Sequence, residues 1–242
     1  MMEYQGNLAA TGVGRDGLES VLFDFDMTLV DSSRGITYCL NRLAGSFGLA
    51  EVTREEVTLT IGHPLDQAMK MLWGRYEPAW MDHYREYLVP LEYERIMPFP
   101  GTRKTLASLL DEGLRLGVVS NRKKLLRAVE RAGLEEYFHS IVGLEDVENP
   151  KPHPDPIWLS VRNLGSTASR TILVGDSEID ALAASRAGTP FVGVTTGGTG
   201  PDVLSVAGAL AVIEDIAELI RVLPGENRMA TSTWAGGDKI KA

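Results

Sequence analysis

Short runs of Val, Ile, Leu and Phe recur along the chain from Val21 to Ile213, separated by segments in which apolar residues return every three or four positions. The runs VLFDF, LRLGVVS, SIVG, TILVGD, FVGVTT and ALAVI predict six strands, and the segments after most of them predict helices. Such alternation implies an α/β fold: a Rossmann-like parallel sheet with helices on both faces, whose ligand crevice lies outside the carboxyl ends of the strands. The interval from about Arg34 to Arg95 breaks the rhythm. There LDQAMKMLWGRY and AWMDHYREYLVPLEY keep helical spacing with no strand between them, which predicts a helical cap, residues 34–95, inserted into a core made of 18–33 and 96–224. MPFPG, with its prolines and glycine, brings the chain back to the sheet. The ends, 1–17 and 225–242, are rich in Gly, Ser, Thr and charge without periodicity and read as flexible tails.

The polar residues fall at the ends of the predicted strands. DFDMT closes the first, VVSNR the second, ENPKPHPDP lies in the loop after the third, and ILVGDSEID closes the fourth. In a parallel sheet these ends converge, so Asp24, Asp26, Ser120, Asn121, Lys151, Asp176 and Asp180 are expected to line one crevice. One acidic strand end is ordinary, because Asp is a turn residue. Four strand ends carrying carboxylates, a hydroxyl and a lysine point to chemistry.

Composition narrows the chemistry. With 24 Lys and Arg against 33 Asp and Glu, the formal charge of −9 argues against a nucleic-acid partner and makes an anionic substrate depend on a locally positive site, which a metal ion can supply. No apolar run reaches the roughly 18 residues of a membrane span, and no secretory signal is recognisable. The single cysteine, Cys39, cannot form an internal disulfide and reads as a small core residue. A cytoplasmic protein, monomeric or homodimeric, with no nucleic-acid or membrane partner, fits these features. Gly12, Gly14 and Gly17 spell G-x-G-x-x-G but precede the first strand, which removes the dinucleotide-binding reading, and TTGGTG lacks the Lys-Ser/Thr pair of a P-loop.

Four separated motifs then resemble one family in order: DFDMT for D-x-D-x-T, SN after the second strand, KPHP for K-P-x-P, and GDSEID for G-D-S-x-x-D. From about Val21 to Leu223 the chain resembles the haloacid dehalogenase-like hydrolases, and among them capped phosphatases similar to phosphoglycolate phosphatase, which implies a small phosphorylated metabolite as partner. The resemblance implies Asp24 as nucleophile, Asp26 as general acid and base, and Lys151 as the charge that stabilises the reacting phosphoryl group. It implies Ser120, the backbone N–H of Asn121, and Thr28 as substrate-binding groups. Mg²⁺ would be held by Asp24, the backbone carbonyl of Asp26, and Asp176, with Asp180 as supporting ligand. The residue types suit the chemistry: a carboxylate nucleophile divides a difficult hydrolysis into two displacements, and a hard cation offsets repulsion between carboxylate and phosphate.

One departure stands out, since Met27 occupies a position where most relatives carry glycine, and a turn that needs positive φ would make it costly. His63, in TIGHPLDQ, lies where similar proteins place a cap loop facing substrate. His83, His139 and His153 read as structural or exposed, Trp73, Trp80 and Met71 as packing of the cap, and Arg34 and Arg75 as solvated. A phosphosugar mutase of the same family and a receiver-like phospho-aspartate module share much of this pattern. The second aspartate, Asp26, argues against a dehalogenase, and the absence of G-x-S-x-G sets aside a serine hydrolase.

Overall fold

The first apolar run forms β1 (Ser20–Phe23), and a two-residue strand, β2 (Val30–Asp31), leads out into helices α1 (Ser33–Phe47), α2 (Arg54–Thr58), α3 (Leu65–Trp73) and α4 (Pro78–His83), a π-helical turn at Tyr84–Leu88, and α5 (Val89–Tyr93). The chain returns through β3 (Met97–Pro98) and then alternates: α6 (Thr102–Asp111), β4 (Arg115–Val119), α7 (Leu125–Ala132), β5 (Ser140–Val142), α8 (Asp155–Asn163), β6 (Thr171–Gly175), α9 (Glu178–Ala187), β7 (Phe191–Val194), α10 (Pro201–Val206), β8 (Ala211–Ile213) and α11 (Leu219–Val222). This computed structural model describes residues 17–223, so the tails expected at 1–17 and 225–242 lie outside it, Gly17 apart.

Six strands form one parallel sheet in the order β5-β4-β1-β6-β7-β8, an α/β arrangement of the Rossmann type. All six are the strands expected from sequence. The two later halves of the chain extend the sheet in opposite directions from β1, which places the switch point, and hence the crevice, beside the end of that strand. Side chains alternate across the sheet with period two. Val21 and Phe23 enter one core with Leu106, Leu109, Ala128 and Leu219, whereas Leu22 enters the other with Ile157, Ala181 and Leu204. Burial on both faces is why these strands read as continuous apolar runs.

The helical segment between β2 and β3 has an apolar cluster of its own, built from Leu40, Leu43, Met69, Trp80, Tyr84 and Leu88. Cys39 belongs to it: the thiol donates to the Leu88 carbonyl at 3.3 Å, and burial, with Glu92 nearby, pushes its pKa up to about 12. Trp73 meets Trp80 edge to face, with ring centroids 5.7 Å apart. Met71 does not pack as expected and is 54% exposed. Met69 takes the buried position on α3, and two residues later the helix has turned by about 200°, to the opposite face.

β2 and β3 were not apparent in the sequence. They pair antiparallel, Val30 with Pro98 and Asp31 with Met97, so the chain leaves and re-enters the core side by side. Just before them Phe25 to Val30 make a tight turn: the Phe25 carbonyl accepts from Leu29 and Val30, and the Met27 N–H donates to Val30. Met27 sits there at φ 61°, yet its side chain is buried. Left-handed backbone costs a non-glycine residue roughly 1–2 kcal/mol, while burying a methionine side chain contributes about 1.5–3 kcal/mol. Packing therefore outweighs strain. Met27→Gly should lower stability by about 0.5–1 kcal/mol despite relieving the backbone, seen as a lower urea midpoint; a raised midpoint would show that the strain dominates.

Candidate active site

Asp24 follows β1 directly, its N–H still donating to Val174 of β6 at 2.8 Å, so the central strand itself aims this carboxylate into the crevice. It is 7% exposed. The Lys151 ammonium, buried beside it, donates to Asp24 Oδ1 and to Asp180 Oδ1, both at 2.6 Å, and to the Val119 carbonyl at 3.1 Å. Asn121 steadies this lysine from the β4 end, its side-chain amide donating to the Lys151 carbonyl at 2.8 Å. Ser120, on the same strand end, lines the crevice, and its hydroxyl accepts from the Arg122 N–H at 3.2 Å.

Asp176, just beyond β6, and Asp180, in the first turn of α9, complete an acidic cluster. Carboxylate oxygens of Asp24, Asp176 and Asp180 lie within 4.8 Å of one another. Ser177 caps α9 and donates to Asp180 Oδ2 at 2.5 Å. The glycine-rich loop after β7 closes the cluster from the side: a Cβ on Gly197 would stand 1.8 Å from Asp176 Oδ2, so no larger residue fits there. Thr28 is placed differently from expectation. It is fully buried, donates to Asp176 Oδ1 at 3.2 Å, and is not among the residues that line the cavity.

Crowding shows in the protonation equilibria. Burial, opposed by Lys151 and reinforced by Asp180 and Asp26, raises Asp24 to about 7. Burial and the neighbouring Asp180 and Asp24 hold Asp176 well above the usual carboxylate range. Lys151 loses by burial but gains more from Asp180 and Asp24, so its pKa rises and it stays charged. Three buried carboxylates against one ammonium leave an excess of two negative charges. An all-oxygen donor set with that excess fits a divalent hard cation.

Asp26 faces elsewhere. Both of its carboxylate oxygens accept from Arg122, from Nε at 2.9 Å and from Nη2 at 2.7 Å. Arg122 Nη1 donates to Glu92 of α5 at 2.6 Å, and Glu92 in turn accepts from the Tyr84 hydroxyl at 2.5 Å. Burial works against the Arg122 charge, but Asp26 and Glu92 outweigh it and raise its pKa well above normal. This buried chain joins the helical segment to the second aspartate, and Arg122, Glu92 and Tyr84 were not singled out from sequence. The signal for Arg122 is its position, one residue beyond Ser120 and Asn121 at a convergent strand end. Asp26 is accordingly absent from the acidic cluster by its side chain.

A cavity of about 640 Å³ opens over Asp24, Asp26, Ser120, Lys151 and Asp176, with walls from both the sheet and the helical segment. His63 lines it from an exposed loop. The other histidines do not: His139 accepts from the Leu116 N–H, His83 packs on Phe47 and Tyr87, and His153 pairs with Asp155. Arg34 and Arg75 are solvated, paired with Asp31 and Glu77. Among the described residues, no helix is long and apolar enough to cross a membrane.

Comparison with known proteins follows the same residues. The chain is 30% identical over 217 residues to the phosphoglycolate phosphatase of Photorhabdus laumondii, covering 86% of this chain and 93% of that one. It is 32% identical over 185 residues to the pyrophosphatase PpaX of Bacillus pumilus, with 73% and 83% covered. A crystal structure described as a predicted phosphatase from Clostridium acetobutylicum superposes with a TM-score of 0.74 at 27% identity, covering 84% of this chain and 97% of that one. The family model for haloacid dehalogenase-like hydrolases matches residues 21–194, from β1 to the end of β7. That span takes in every carboxylate of the cluster as well as Lys151 and Arg122, and the chain belongs to the haloacid dehalogenase-like hydrolases.

Proposed function

We propose that this phosphoric monoester hydrolase cleaves a small phosphate monoester through an aspartyl-phosphate formed on Asp24, with Mg²⁺ as its metal. The observation that carries the reading is the placement of Asp24: buried at the end of the central strand, paired with Lys151 on one oxygen, beside two further carboxylates, and open to the cavity. Asp24, Asp176 and the backbone carbonyl of Asp26, supported by Asp180, would hold Mg²⁺, which when bound neutralises charge between carboxylate and phosphate.

The steps fall to the chain's own residues. The Asp24 oxygen not engaged by Lys151 attacks phosphorus while the ester oxygen leaves with a proton from Asp26. Water then gives a proton back to Asp26 and attacks the phosphoryl group, releasing phosphate and restoring the Asp24 carboxylate. Ser120 and the Asn121 N–H would bind phosphoryl oxygens, and Lys151 would stabilise charge developing on them. For Asp26 to give its proton, one of its oxygens has to be released from Arg122, and the other partner of Arg122 lies on α5. We read residues 34–95 as a cap on the core 18–33 and 96–224, with His63 on a loop facing the leaving group. Closing such a cap excludes water and completes the site.

Asp24→Asn keeps the volume of the side chain but removes the nucleophile. Steady-state phosphate release with excess Mg²⁺ should fall by about 10⁴-fold or more, and substantial residual turnover would remove Asp24 from this role. Asp26→Asn should slow transfer to Asp24 far more for an alkyl phosphate than for 4-nitrophenyl phosphate, whose leaving group needs little protonation; equal losses in single-turnover measurements would remove the general-acid assignment.

Metal binding should also release protons. Below about 7 the metal-free Asp24 holds a proton that a cation must displace, and Asp176, also held above the usual carboxylate range, adds to this, so affinity for Mg²⁺ rises with pH. Calorimetric titrations at pH 6 in buffers of different ionisation enthalpy should report about one proton released or more. Metal binding without proton release would show that Asp24 is already ionised in the metal-free site.

A further inference from the structure

The cavity is larger than a two-carbon phosphate ester requires, and the excess is apolar. A two-carbon carboxylated phosphate monoester has nine non-hydrogen atoms; even at a full water volume of roughly 30 Å³ per atom it fills less than half of the 640 Å³. Above the carboxylate floor the walls are Ile36, Ile61, Leu65, Val89, Tyr93 and Ile179, all half-buried and facing open space. Three polar groups beside these apolar walls are already engaged, while His63 and the cations named below sit at the exposed rim. Tyr84 donates to Glu92, Glu92 accepts from Arg122, and the Thr60 hydroxyl donates to the Val57 carbonyl at 2.8 Å. Hydroxyls of a leaving group laid against the Ile36, Ile61, Leu65, Val89 and Ile179 wall would lose water without gaining a partner, at a desolvation cost. The roof also rests on the floor: the Asn121 amide reaches the Gly62 carbonyl at 3.5 Å, and a Cβ on Gly62 would lie 3.8 Å from Ile179 Cδ1. Unpaired cations, Arg85, Lys123 and Lys124, line the chamber as exposed side chains and favour entry of a dianionic phosphate.

Resting on the hydrolase reading above, we propose that this chamber favours phosphate monoesters whose alcohol carries an apolar chain or ring larger than two carbons. The phosphate meets the carboxylate and Lys151 floor, and the hydrocarbon lies between the loop holding Ile61, the helices holding Ile36 and Val89, and Ile179.

Straight-chain alkylphosphonates from methyl to octyl, titrated calorimetrically into the Mg²⁺-loaded protein, test the chamber without turnover. Each added methylene should tighten binding about fourfold until the space is filled, and kcat/KM for the matching alkyl phosphates, whose leaving alcohols are of nearly equal acidity, should climb in parallel. Ile61→Trp, which puts bulk into the chamber, should weaken the long members more than the short ones, and Val89→Phe repeats the test from another element. A flat series, equal weakening of long and short members in both variants, or phosphonoacetate binding more tightly than butylphosphonate would overturn the proposal. Rising phosphonate affinity with no hydrolysis of any alkyl phosphate would uphold the chamber and overturn the hydrolase reading, so the two fail separately.

Discussion

Like charges in a buried crevice are the constraint from which the rest of this architecture follows. Asp24, Asp176 and Asp180 converge where the sheet changes direction, and in a medium of low polarity such carboxylates repel and resist ionisation. Lys151 lies between Asp24 and Asp180 at hydrogen-bond distance from each and is the cation that lets the arrangement exist in the folded protein. A compact ammonium on a flexible stem suits a position touching two carboxylates and a carbonyl at once. The supports around it, Thr28 on Asp176, Ser177 on Asp180 and Asn121 on the Lys151 loop, hold acceptors and donors in register.

Asp26 is managed by a different device. A planar guanidinium grips it with two parallel hydrogen bonds, a geometry that lysine cannot supply, and turns its remaining nitrogen to a glutamate from the helical segment. The two aspartates of one short motif thus answer to two separate cations. Asp24 belongs electrostatically to the sheet domain's own loops, and Asp26 to the contact between the sheet and the helices beside it.

Much of this was legible in the sequence. The six sheet strands announce themselves because each is buried on both faces and so reads as an apolar run, and the topology of parallel strands then forces their polar ends together. What stayed hidden has local reasons. β2 and β3 are two residues each, too short to show any period. Glu92 sits in a stretch, VPLEYERI, whose charges look solvated, and its burial depends on an arginine thirty positions away. Thr28 follows the two aspartates in sequence, and only the fold reveals that its hydroxyl is engaged with Asp176. Met71 shows the reverse error, an apolar residue placed by the helix turn on the solvent side.

The pairing of β2 with β3 bears on how such a protein can change over generations. The two chain crossings between sheet and helices are neighbours in one small ribbon, hydrogen-bonded at Val30–Pro98 and Asp31–Met97, and strands so paired lie only about 5 Å apart. Everything between them is a detour that begins and ends at nearly the same point. Insertions, deletions or wholesale exchange of the helices alter the length of that detour without pulling on β1 or shifting the register of the sheet. The ribbon acts as a socket, and the half of the pocket built by the helices can diversify while the half built by the strand ends stays fixed.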